Sequence, residues 1–156
     1  RLSREFGVKA ESGCRTKDNP ILGTPAPDTE ARVRALAGKL RFDDDVLAGL
    51  LKQGTDALKV LALVDGDAAL AERLAPEIPH IKAQVKFAVE GEMAHTVDDF
   101  LVRRTEIYYH APDQGLGVAG EVARIMGEAL GWDAGETKRQ VEAYEKTVEL
   151  SRQYCA

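Results

Sequence analysis

The chain has 156 residues, 44% hydrophobic and 30% charged, with a formal net charge of -5 and a sequence pI of about 5.3. This suffices for one buried core under a wet surface and leaves no room for a second large domain. The acidic balance argues against nucleic acid, whose phosphate backbone needs a basic face, and no apolar run approaches the roughly 20 residues that span a bilayer.

Residues 1–28 contain Gly7, Gly13, Asn19, Pro20, Gly23, Pro25 and Pro27, which break any helical period, so this stretch reads as an irregular linker. It lacks a signal-peptide core. A beginning at Arg1 without methionine or a strand-rich opening reads as a fragment excised from a longer polypeptide. Cys14 and Cys155 lie at opposite ends with no paired spacing, so reduced thiols of a cytoplasmic protein are expected rather than a disulfide framework or a zinc knuckle.

Thr29 is placed to cap a helix running to about Leu40. Asp43 to Asp45 put negative charge at the start of a second helix, with Val46, Leu47, Leu50 and Leu51 inward. Thr55 opens a third, carrying Leu58, Leu61 and Leu63, and Gly66, Pro76 and Pro79 mark turns.

From Ile78 to Thr105 the sequence is densest in information. Ile81, Val85, Ala88, Val89 and Met93 follow one helical face, which predicts a buried stripe. Glu92 falls on or beside that stripe, so its carboxylate must meet a cation or border a wet groove. Thr96 stands three residues before Asp99, the spacing of a reciprocal cap, which predicts a helix break and a new start. The short helix that follows carries Phe100 and Leu101 inward and ends in Arg103 and Arg104, where positive charge is favoured. Arg104 is the candidate partner of Glu92.

HAPDQGLG after Tyr109 reads as a loop, followed by a helix with Val118, Val122, Ile125, Met126 and Leu130 on one side and Gly131 as a left-handed C-cap. Asp133 and Glu136 repeat the capping-box spacing before a last helix that buries Val141, Tyr144 and Val148. No segment alternates as a strand and no repeat of fixed period is visible. The expected fold is all-α, a compact helical bundle of about five to seven helices behind an irregular N-terminal segment.

The residues Lys82 to Ala88, Glu92 to Thr96 and Asp99 to Thr105 give an Ala-x-Val-x-aromatic-Ala helix, a Glu-x-Ala-x-Thr turn and Asp-x-x-x-Arg-Arg-Thr. In this the chain resembles the C-terminal helical domain of FAD-dependent (respiratory) glycerol-3-phosphate dehydrogenases and the related alpha-glycerophosphate oxidases. VARIMGEALGW, from Val122 to Trp132, resembles the next helix of that family, and the likeness extends over roughly Arg32 to Ser151. Two departures stand out: Glu106 replaces a further arginine after Arg-Arg-Thr, and Gly91 interrupts the helix.

The resemblance implies that residues 1–28 are a linker or the tail end of a catalytic part, with a scrap of strand at Ile21 and Leu22, and that residues 29–156 are an accessory domain. The whole enzyme would oxidise sn-glycerol 3-phosphate to dihydroxyacetone phosphate, with electrons passing to flavin and then to quinone, or to oxygen in the oxidase branch. FAD would be held by the missing N-terminal part and not by this chain. The expected partner is the catalytic FAD-binding domain of the same polypeptide, with homo-oligomers allowed and membrane contact only through a parent enzyme peripheral on the inner face of the cell membrane. The fragment itself is expected to be inert, with no catalytic, cofactor or metal residues.

Chemistry-bearing patterns outside that resemblance are sparse. Glu92 and His95 form a Glu-x-x-His pair, which helical metal sites use in duplicate, but no second copy exists, and His80 and His110 sit beside prolines or in loops. Gly115, Gly117 and Gly120 give G-x-G-x-x-G, though without the strand that precedes it in a dinucleotide fold. No serine or cysteine has a base near it in sequence. Tyr108 and Tyr109 read as packing residues with polar tips. A guanidinium pair can clamp an anion; the favoured reading ties Arg103 and Arg104 to Glu92, Asp98 or Asp99, or to the missing domain, as an interdomain or structural charge cluster. The alternative function is a free-standing helical ligand- or metal-sensing or interaction domain, with a groove near Glu92, His95 and Arg104.

Overall fold

A computed structural model describes residues 26–153, together with 5–7, 18 and 24. The expectations for Cys14, Cys155, Ile21 and Leu22, and for most of the linker, lie outside the described residues.

Helix α1 (Thr29–Lys39) follows Asp28, so Thr29 is its first residue and not its cap, and it buries Thr29, Val33 and Ala37 at four-residue spacing. Helix α2 (Asp44–Lys52) buries Val46 and Leu50, and α3 (Asp56–Gly66) buries Ala57, Val60, Leu61 and Val64. Leu47, Leu51, Leu58 and Leu63, expected inside, are partly buried and pack on the edge of this cluster. A short 3-10 turn (Ala68–Ala71) follows, opened by the Asp67 carboxylate, which accepts the N–H of Ala69 at 3.0 Å.

A two-stranded antiparallel ribbon comes next, β1 (Arg73–Ala75) and β2 (Ile78–Ile81), with Arg73 opposite Ile81 and Ala75 opposite Ile78. This corrects the expectation of no strand. The two strands are too short to show a period-two pattern, and Pro79, read as a turn marker, sits within β2, an edge strand that tolerates proline.

Helix α4 (Lys82–Glu92) is the wall between two cores. Ala83 and Phe87 join Ile81 and the residues of α1 to α3 on one side, while Val85 and Ala88 join the C-terminal cluster on the other. The expected single stripe is therefore split: Ile81 ends β2, and Met93 is 77% exposed in a left-handed conformation at φ 56°. Gly91 does not interrupt the helix. A Cβ there would lie 2.7 Å from the Phe87 ring, so glycine makes room for the aromatic side chain.

The chain restarts as a π-helical turn (Asp99–Arg104) that buries Phe100 and Leu101. Its wider winding appears in the Thr105 N–H donating to the Phe100 carbonyl at 3.0 Å, five residues back. A one-turn helix α5 (Ile107–His110) leads to α6 (Leu116–Leu130) and α7 (Ala134–Gln153). Gly131 closes α6 with φ 72°, as its position predicts. Asp133 accepts the Glu136 N–H at 2.7 Å at the start of α7. Tyr144 and Val148 are buried, whereas Val141 is partly exposed. The described residues thus form a mostly helical domain with one small ribbon.

Candidate functional site

The two cores meet along α4 and leave a cleft of about 1050 Å³ beside it. One wall comes from α2 and β2, the other from the end of the π turn, α5 and the loop into α6. Two polar contacts cross from α2: Lys52 Nζ meets Glu106 Oε2 at 3.0 Å, and Gln84 Nε2 on α4 donates to Gln53 Oε1 at 3.3 Å.

His80 stands on β2 at this cleft, half-buried, and its Nδ1 is enclosed without a hydrogen-bond partner. Burial pushes its pKa down to about 4, helped by the Lys52 charge and opposed by Glu106. His80 is therefore neutral at pH 7. Glu106 lies below the usual carboxylate range because Lys52 donates to it, and His110 Nε2 approaches it at 3.6 Å. Glu106, a departure from the family pattern, is thus used locally.

Glu92 and Arg104 also line the cleft. Arg104 Nη2 donates to the Glu92 backbone carbonyl at 2.8 Å, while the side chains approach less closely, Nε to Oε2 3.7 Å. Burial raises the Glu92 carboxyl above its ordinary value; Arg104 pulls against this and Asp56 adds to it. The guanidinium clamps the helix end more tightly than it neutralises the carboxylate.

Thr96 and Asp99 form the reciprocal cap that their spacing predicts. The Asp99 N–H donates to Thr96 Oγ1 at 3.1 Å, and Asp99 Oδ2 accepts the N–H groups of Thr96 and His95, both at 3.0 Å. Burial alone would raise Asp99, yet these donors and Arg103 hold it below its ordinary value. Arg103 Nη1 meets Asp99 Oδ1 at 2.9 Å on the surface. Asp98 enters no ion pair among the described residues; its charge adds to the burial that raises the Tyr144 phenol. Of the five residues of the charge cluster, only Glu92 and Arg104 line the cleft.

His95 does not share a face with Glu92. The helix ends at Glu92, and left-handed Met93 redirects the chain, so the i, i+3 relation required for a Glu-x-x-His ligand pair is lost. Among the described residues no group of three or more His, Cys, Asp or Glu is placed to hold a metal ion. Tyr108 and Tyr109 stack edge to face at 5.0 Å, with Tyr109 67% exposed.

The described residues do not fit a dinucleotide at the glycine motif either. Gly115 precedes α6 at φ 79°, the element leading into it is the one-turn helix α5 and a loop rather than a strand, and the Asp113 carboxylate takes the helix-start N–H groups of Gly115 at 2.9 Å and Gly117 at 2.6 Å. A diphosphate would have to displace that carboxylate. At Gly115 a side chain would also be strained, because its Cβ would lie 2.9 Å from Ile107 Cγ2. Among the described residues, no helix is long and apolar enough to cross a membrane.

Sequence reasoning missed Lys52, His80 and Glu106 as cleft residues. His80 carried a faint signal, a histidine between two isoleucines in Ile-Pro-His-Ile, but the wall facing it comes from residues about 25 positions downstream.

Residues 14–137 match the family model of the C-terminal domain of alpha-glycerophosphate oxidase. The chain belongs to that family. It is 38% identical over 104 residues to a glycerol-3-phosphate dehydrogenase of Synechocystis, covering 65% of this chain and 19% of that protein. It is 32% identical over 90 residues to glycerol-3-phosphate dehydrogenase 2 of Mycobacterium bovis, 58% of this chain and 15% of the relative. Against the aerobic glycerol-3-phosphate dehydrogenase of Bacillus subtilis the identity is 26% over 151 residues, 92% of this chain and 27% of the relative. The chain thus spans less than a third of each of these three relatives. No solved structure matches it.

Proposed function

We propose that this chain is the C-terminal accessory domain of a FAD-dependent glycerol-3-phosphate dehydrogenase. The whole enzyme oxidises sn-glycerol 3-phosphate to dihydroxyacetone phosphate and delivers the electrons to a quinone. FAD and substrate are held by the remainder of the polypeptide, and this domain packs on that remainder and stabilises it. In this reading residues 1–28 lead out of the catalytic part and residues 29–156 form the accessory domain. The enzyme is cytoplasmic and rests on the inner face of the cell membrane through its other parts.

The observation that carries the reading is the family match over residues 14–137, joined to relatives several times longer than the chain. The cleft chemistry agrees with a non-catalytic role: Lys52, Glu106, Arg104 and Glu92 are already engaged with one another. The test is to express the complete polypeptide and this chain separately. The complete protein should bind flavin and reduce a quinone analogue with glycerol 3-phosphate, and the separate chain should do neither. A complete polypeptide without flavin would overturn the reading.

A further inference from the structure

The C-terminal end of α1 carries charge and apolar surface that the domain itself leaves unused. Among the described residues, Lys39, Arg41 and Lys146 are the lysines and arginines that enter no ion pair or hydrogen bond, and the first two stand together here. Leu36 and Leu40, one helical turn apart, are 37% and 39% exposed. Lys39 lies three residues after Leu36, so the cation and the leucines share one flank of the helix. Beside Leu40 a shallow recess of about 260 Å³ is lined by Phe42, Val46 and Ala71. The acids on its rim are already engaged, Asp43 by Arg73 at 2.8 Å and Glu72 by Lys82 at 2.7 Å.

Arg41 occupies a backbone position that suits another residue. Its N–H donates to the Gly38 carbonyl at 3.2 Å, and the Phe42 N–H donates to the Ala37 carbonyl at 3.1 Å, the paired bonds that close a helix through a left-handed residue. That residue is Arg41, at φ 57°, where glycine sits without strain, as Gly131 does at the end of α6. The helix dipole favours a cation near this end, which Lys39 supplies. It gives no reason for an arginine in place of glycine, nor for two exposed leucines.

These features sort the possible occupants. Lipid surfaces are met by clusters of about four to eight basic residues, whereas Arg32 and Arg34 are engaged by Asp28 and Glu30 and the chain carries a net charge of -5. An acidic protein segment with an apolar side chain gains on both counts. Its carboxylates meet Lys39 and Arg41, and its apolar side chain enters the recess beside Leu40. A segment of the same polypeptide also gains from proximity: α1 is 11 residues long, so its far end lies about 16 Å from where the chain enters it, and a tethered partner is present at high effective concentration.

We propose that the corner formed by Leu36, Lys39, Leu40 and Arg41 is the docking patch for an acidic, apolar-flanked segment of the catalytic part of the same polypeptide. The inference rests on the accessory-domain reading and says which face of the domain meets the partner. Relatives of which the match covers 15–27% show that a large remainder exists in the family to supply such a segment.

The test uses the complete polypeptide. Carbodiimide coupling should join Lys39 to an aspartate or glutamate of the catalytic part, and Lys39→Arg, which keeps the charge but not the amine, should abolish that product. A thiol reagent on Leu36→Cys reads the cover over the patch, with Leu150→Cys on α7 as the control, quantified peptide by peptide. Adding Lys39→Gln and Arg41→Gly should speed labelling at Leu36→Cys at least about tenfold, while Leu150→Cys labels as before. Glycine suits the left-handed position, so α1 keeps its end and faster labelling reports lost cover rather than unfolding. Unchanged labelling, or no coupling from Lys39 to the catalytic part, would overturn the proposal. So would coupling found only between isotopically distinct copies, which would make the patch a self-association surface. Sedimentation with phosphatidylserine vesicles that Lys39→Gln with Arg41→Gly abolishes would overturn it too, in favour of a lipid surface. Flavin content separates the two failures: a flavin-loaded enzyme with a freely labelled patch sinks only this inference, and a complete polypeptide without flavin sinks the accessory-domain reading.

Discussion

The two cores flanking α4 are built differently. The N-terminal one, around Val33, Val46, Leu50 and Val60, is mainly aliphatic, with Phe87 buried in it and Phe42 packed at its edge, and its ion pairs lie at the surface, as in Arg34 with Glu30 and Lys59 with Asp56. The C-terminal one buries Phe100, Met126 and Tyr144 and threads hydrogen bonds through its edge: Tyr144 donates its hydroxyl to the Gln114 carbonyl, and Arg152 reaches the Gln114 side chain at 2.7 Å. An aliphatic core tolerates volume-conserving exchange, whereas a core with satisfied polar groups specifies its geometry and suffers when one partner is removed. The cleft is where the two kinds of packing meet.

The largest effect expected to break this comparison is Phe100→Ala. The ring is 1% exposed, so truncation should cost about 3–5 kcal/mol in urea unfolding. A value near that of a surface substitution would show that the C-terminal core does not depend on the π turn.

Next comes pH. The folded pKa of His80, about 4, lies below its ordinary 6.5, so between these values the unfolded chain binds more protons than the folded one. Stability should therefore fall as pH drops from 6.5 towards 4, by roughly 1–2 kcal/mol after discounting for partial exposure. His80→Phe should flatten that window. Glu121 separates cleanly, because Arg124 chiefly holds it down to about 2 and its contribution is lost only as pH falls below 4.5 towards that value. A stability curve with no His80-dependent slope above pH 4.5 would contradict this assignment.

Glu92→Ala should be milder, about 0.5–1.5 kcal/mol in thermal or urea unfolding, because Arg104 keeps its bond to the backbone carbonyl of residue 92 and is a third exposed. A loss above about 3 kcal/mol would mean that Arg104 is stranded in a dry site. The smallest effect belongs to Lys52→Met. Its ion pair with Glu106 is well exposed on both sides, so the change should stay within about 0.5 kcal/mol, and a larger loss would show that this pair holds the walls together.

Legibility followed the range of the interactions. The helices of the first core, the Thr96/Asp99 cap and the Gly131 terminator were readable because each is set by neighbours within about four residues. The Glu92 and Arg104 approach was legible from the cost of leaving a carboxylate unpaired. The ribbon was not, since Arg73–Ala75 and Ile78–Ile81 are too short for a period to show. Nor was the divided role of α4, because Phe87 and Val85 look alike in sequence and face different cores only once both are assembled. Left-handed Met93 removed His95 from the helical face on which a metal reading depended.

The central claim is that this domain serves an enzyme without holding its cofactor or substrate. A thermal-shift titration of the chain with FAD and with glycerol 3-phosphate tests it most directly, because a ligand selective for the folded state must raise the melting temperature. The account predicts an unchanged melting temperature with both. A saturable rise with either would place part of the active site within this chain and contradict it.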